Sequence, residues 1–280
     1  MPLQYTGPQG KETIRRISNL PTTIVLTVVV LWSTTARTLP AYSAPPETQE
    51  PQGLIAPCTP EAWALATTAV LTEHNHDRHD LLGNAERTAD NIAKVHQRLK
   101  FWWGVTNREE LLRALQQLEL GGHRRSFAQM GAFLSSATPE QQALFTAAIA
   151  HSDQLTYRVA VVRKHYATLG KKSLLGWDYS RYIMLCRWGY LLGYLSEQEA
   201  WDKIWPAALL LQRTFASWSD LGINYLIGRA FWSVQETRKS GKAYYASYVH
   251  LFQEPTSPWR QCPWTLPLRT STAEPPLPSE

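Results

Sequence analysis

The chain has 280 residues, 44% hydrophobic and 18% charged, with twelve tryptophans, a composition that excludes a disordered polymer and predicts an aromatic-rich folded core. Its formal charge is +5, but the first 43 residues hold Lys11, Arg15, Arg16 and Arg37 against Glu12, which leaves +2 for the rest. So small a surplus excludes a polycation built for nucleic acid or a membrane surface.

The N-terminus reads as a targeting segment. Lys11, Arg15 and Arg16 form a basic region, residues 20–32 an apolar one, and residues 33–44 a small, polar one. Ala41 and Ser43 stand where a signal peptidase reads small side chains, so residues 1–43 are expected to be a signal peptide removed before Ala44. The alternative is an uncleaved signal anchor, although the apolar stretch falls short of the roughly 18–20 residues that span a bilayer. Either way the chain is expected to be exported: periplasmic, secreted or membrane-anchored. Residues 44–58 are a Pro-rich linker, 59–264 a helical domain, and 265–280 a Pro-rich disordered tail.

No stretch sustains a period of two, so an all-α fold is expected: one domain of nine or ten helices around a buried central helix. Thr59-Pro60-Glu61 opens a helix over 60–79. A second covers 86–101. Thr106 or Asn107 caps a third, stopped by Gly121-Gly122. A fourth covers 124–134, Thr138-Pro139 opens a fifth, and a sixth runs 154–169. The central helix, over 173–194, is apolar nearly all round. Ser196 and Glu199 make a capping box for the eighth, which Pro206 should kink. Helices over 221–235 and 243–252 follow, and an extended segment begins at 260.

Residues 174–232 are the densest run. Asp178, Arg181 and Arg187 sit among apolar and aromatic residues, where a charge must be paired or face a cavity. The run carries Trp177-Asp178-Tyr179-Ser180-Arg181, Arg187-Trp188-Gly189-Tyr190, Gly193-Tyr194, Glu199-Ala200-Trp201, Trp218 and Gly228-Arg229-Ala230-Phe231-Trp232. With Phe101-Trp102-Trp103-Gly104-Val105, Gly122-His123-Arg124, Ser257-Pro258-Trp259 and Pro263-Trp264, these elements resemble the bacterial family catalogued as domain of unknown function 1266. The resemblance covers about 59–264. It implies a family without an activity, and it supplies no metal and no cofactor.

Asp178 and Arg181, three apart, share a helix face. Read functionally, they are an acid and its orienting cation in a pocket with Trp177, Arg187, Tyr190, Trp218 and Arg229. The plainer reading is an ion pair that docks the central helix, with Arg187 and Arg229 neutralising Glu199 or Asp220 in the same way. His123 becomes a catalytic candidate only beside a carboxylate; otherwise it packs or caps. In His74-Asn75-His76-Asp77-Arg78-His79-Asp80, His76, His79 and Asp80 have helical spacings that suit a metal, yet match no standard motif, and a solvated helix end is the plainer reading. Cys186 reads as a buried hydrophobe. Cys58 and Cys262 flank the domain; two free thiols are expected, with pairing as the alternative in an oxidising compartment. Nucleotide-loop, G-x-S-x-G and C-x-x-C signatures are absent. The reading is an exported helical binding module whose partner is a protein or small molecule. The alternative is an enzyme using Asp178 and His123 as acid and base, with an arginine anion clamp.

Overall fold

The computed structural model describes residues 39, 40, 42, 43 and 58–268. The apolar leader stretch, the cleavage-site residue Ala41, nearly all of the linker and the end of the tail lie outside the described residues. Among those described there is no strand, and no helix is long and apolar enough to cross a membrane.

Local chemistry sets the helix starts. Thr59 accepts a hydrogen bond from the Ala62 N–H at 3.2 Å, and Pro60 fills the first position of α1 (Pro60–Ala66). After α2 (Ala69–His74), side-chain caps open α3 (Ala89–Trp103, Thr88), α4 (Arg108–Leu120, Asn107), α6 (Pro139–Ile149, Thr138), α7 (Asp153–Leu169, Ser152) and α9 (Glu197–Thr214, Ser196). Ser217 and Ser233 do the same for α10 (Trp218–Trp232) and α11 (Val234–Gln253), and Ser257 for α12 (Pro258–Gln261). Three α-helices lack a side-chain cap of their own: α2, α5 (Gly122–Ser136) and α8 (Leu175–Leu191).

Helix α8 is the centre of the molecule, with fourteen of its seventeen residues buried. Helices α9 and α10 pack along it, and α4 and α5 also contact it. Helix α7 lies against α5 and α10, and α11 against α10 and α2. The α8–α10 contact is close because Gly228 has no side chain: a Cβ there would lie 2.1 Å from the Cβ of Trp177. Asn224 of α10 supplies the missing cap of α8, accepting from the Gly176 N–H at 2.9 Å and donating to the Ser173 carbonyl at 2.7 Å.

Several boundaries differ from expectation. The predicted helix over 60–79 breaks at Thr67 and Thr68, whose hydroxyls donate back to the carbonyls of Ala64 and Leu65 at 2.7 and 2.9 Å, and it ends at His74. Helix α9 continues through Pro206. The gap expected over 236–242 does not occur; the chain turns at Ser233 and α11 then runs twenty residues. Beyond residue 260, Leu268 is buried, and Gln212 donates to the carbonyls of Trp264 and Leu266 at 2.9 Å.

Cys58 and Cys262 are joined in a disulfide, which corrects the expectation of free thiols; Cys186 is buried and free. The bond ties the start of α1 to the end of α12 across 204 residues of chain. Closing so long a loop restricts the unfolded chain strongly. The Cys58→Ala/Cys262→Ala variant is expected to lose about 2–5 kcal/mol in urea unfolding. Unfolding indistinguishable from that of the oxidised protein would show that the bond contributes nothing.

Candidate functional site

Asp178 lies in the first turn of α8 and has no exposed surface. Its Oδ1 accepts from the His123 N–H at 3.0 Å and its Oδ2 from the Arg124 N–H at 2.9 Å. These are donors of the first turn of α5, so Asp178 is the cap that α5 otherwise lacks. Gly122 makes room for it: its φ is +47°, and a Cβ would lie 2.4 Å from the Asp178 Oδ2.

The two arginines beside Asp178 have separate tasks. Arg181 Nη2 donates to Asp178 Oδ1 at 2.8 Å and to His123 Nδ1 at 3.0 Å, while Nε bonds the Trp177 carbonyl at 3.1 Å. Its guanidinium carbon lies 4.0 Å from the Trp177 ring centroid and 5.2 Å from that of Trp103. Arg124 Nη1 also pairs with Asp178 Oδ2 at 3.3 Å, but its shorter bonds go to the carbonyls of Leu118 and Glu119, both at 2.6 Å, and so close the open end of α4. Tyr182 adds a 2.6 Å hydrogen bond to Glu119. One buried carboxylate thus sits where α4, α5 and α8 meet.

This geometry limits what Asp178 and His123 can do. Burial pushes the Asp178 carboxyl up, but His123, Arg181 and the Arg124 N–H outweigh it and hold it below the usual range. It is an anion with its lone pairs directed at fixed donors. His123 Nδ1 is 3.8 Å from Asp178 and faces Arg181, which can only donate, so Nδ1 carries no proton. Burial lowers the His123 pKa, and the Arg181 charge lowers it further against the opposing pull of Asp178. To act as a base, the ring would have to give up Arg181. A surface depression lined by Asp153, Gln154, Ser233 and Arg238 lies elsewhere, at the starts of α7 and α11.

Of the remaining predicted residues Trp177 borders Arg181, and the others are not gathered around Asp178. Trp218 donates to the Cys262 carbonyl at 2.7 Å and packs with Trp63, Trp259 and Trp264, in a tryptophan cluster beside the disulfide. Trp177 belongs to a second cluster, with Tyr225 and Trp232. Tyr190 is half-buried. Arg187 is fully buried and meets no carboxylate. It donates to the carbonyls of Leu65, Arg78, His79, Leu81 and Leu82 at 2.8–3.3 Å and to the hydroxyls of Thr68 and Thr72 at 2.5 and 3.4 Å. Burial draws its pKa down to about 9. Arg229 donates to the Glu236 carbonyl and the Ser240 hydroxyl and lies over Tyr244. Neither arginine neutralises Glu199 or Asp220, which pair instead with Arg108 and Lys172.

The histidine-rich loop is likewise committed to the fold. His79 bonds Glu73 at 3.1 Å, Asp80 pairs with Arg78, Asp77 pairs with Arg98, and His74 stacks on Tyr244. His76, His79 and Asp80 are not brought together as ligands, and no metal-binding group of three occurs among the described residues. Sequence reasoning passed over Phe101 and Trp102 as surface features: they are 65% and 47% exposed at the end of α3. Their adjacency at the end of a helix that buries only Val95 and Leu99 was the available signal.

Residues 98–264, more than half of the chain, match the family model described as "Protein of unknown function (DUF1266)". The chain belongs to that family. It is similar to the uncharacterized protein YbeU of Escherichia coli strain K12, 26% identical over 133 residues, 46% of this chain and 54% of that protein. It is also similar to the uncharacterized protein YbeR of the same organism, 27% identical over 137 residues, 48% of this chain and 56% of that one. The chain thus spans about half the length of these relatives. No solved structure matches. The elements that carry the family resemblance are interlocks here: Gly122 and Arg124 seat Asp178, Gly228 seats Trp177, and Arg187 gathers the loop after α2.

Arg181→Ala is expected to cost about 3–5 kcal/mol by removing the closer of the two cations on a buried carboxylate and leaving only the longer Arg124 contact. A melting curve like that of the wild type would show that the pair contributes little. Burial also lowers the pKa of His74 and His165, each to about 4, and that of His79. These rings and His123 take up protons more readily unfolded, so the stability they contribute is present above about 6.5 and is lost as pH falls toward about 4. The urea midpoint should drop across that window; a midpoint that is flat or rises on acidification contradicts it.

Proposed function

We propose that the chain is an exported interaction module that binds a protein through the aromatic end of α3. The observation that carries this reading is the exposure of Phe101 and Trp102 side by side, where every other tryptophan among the described residues is buried or half-buried. Their rings meet edge to face at 4.8 Å, and Trp102 leans on Trp232 at 5.8 Å. Trp103 stands behind, against Arg181. Exposed aromatic clusters on a rigid base are typical of binding surfaces. Asp178 and Arg181 then act from within, holding the base of the patch. The disulfide supports export, because such bonds persist in oxidising compartments. The acid–base alternative lacks a free lone pair on either Asp178 or His123.

A photo-crosslinking residue at position 101 or 102 should capture a discrete protein in the native host, and the same residue at exposed Gln116 of α4 should not. No product, or the same products from all three positions, contradicts the reading.

A further inference from the structure

We infer that residues 39, 40, 42 and 43, beside the expected cleavage site, belong to a strap that is integral to the folded domain, and that the leader is retained as a membrane anchor instead of being removed before Ala44. Leu39 and Tyr42 pack against the hydrophobic core. The Tyr42 ring centroid is 5.9 Å from that of Tyr245 on α11, and the Tyr245 hydroxyl lies 3.4 Å from both the carbonyl and the hydroxyl of Ser43. Lys164 of α7 donates to the Pro40 carbonyl at 3.4 Å. The strap therefore crosses α7 and α11. Burial, and Tyr157 close by, raise the Tyr42 phenol pKa, while Arg229 of α10 opposes the rise. The polar contacts are long, so packing of Leu39 and Tyr42 is what holds the strap.

A peptidase must draw its substrate out in an extended, accessible form. Ala41 and Ser43 are the small residues it would have to accept, and Ser43 is exposed. Between them stands Tyr42, whose side chain is partly buried in the domain. Scission before Ala44 would remove Tyr42 and uncover aromatic surface on α11. Retention keeps that surface covered and leaves Lys11, Arg15 and Arg16 on the near side of the apolar stretch, the arrangement of an anchor with its positive end inside. This inference is independent of the patch at Trp102.

The test is to express the full chain in an exporting bacterium, isolate the folded protein from membrane and periplasm, and determine its N-terminus by intact mass. The expected result is membrane-associated protein that retains residues 39–43. Tyr42→Ala should then lower the Tm by about 2–4 °C, and Tyr42→Phe should restore it. A periplasmic product beginning at Ala44 overturns the inference. Retention of the leader with a Tyr42→Ala melting curve equal to the wild type overturns it too, because nothing would then hold the strap.

Discussion

A carboxylate with no exposed surface is costly unless every lone pair finds a donor, and the architecture around Asp178 follows from that requirement. Two donors are backbone N–H groups of α5, which places that helix end-on against α8. A third is Arg181, held between Trp103 and Trp177. Arg124 extends the junction to the carbonyl end of α4. A positive end of one helix, a negative end of another and one anion between them make a junction that resists sliding in any direction. Gly122 is part of the same arrangement, because any side chain there would displace the carboxylate.

Arg187 solves the opposite problem. A buried cation with no carboxylate in contact is tolerated because five carbonyls and two hydroxyls surround it. Those carbonyls come from the end of α1 and from the loop after α2. The histidines and aspartates of that loop look like ligands in sequence, yet the loop is wound around a guanidinium. Asp77 and Asp80 favour the charge from a distance.

The helical pattern was legible because caps and apolar periodicity are local. Thr59-Pro60, Asn107, Thr138-Pro139 and the Ser196–Glu199 box all start helices as read. The break at Thr67-Thr68 was not legible, since it depends on hydroxyls that turn back onto carbonyls and toward Arg187, 119 residues away from Thr68. The expected gap over 236–242 is helical because packing of α11 on α2 and α10 overrides a weak local propensity. The Asp178–Arg181 pairing followed from helical spacing. That His123 would lend its backbone rather than its ring did not, because the Gly122 turn decides it. Trp218 was grouped with Trp177 on composition alone; the fold puts them in separate clusters.

The central claim is that Asp178 serves as the buried cap of α5 and so is a structural anion. Amide hydrogen exchange at His123 and Arg124 tests it without altering a residue. First-turn amides of a helix ordinarily exchange through fraying, with little protection. With Asp178 holding both, they should exchange only as slowly as the core of α8, at the free energy of global unfolding. Exchange at rates close to those of an unprotected peptide would show that Asp178 is not bound to them, and the acid would then be free for chemistry.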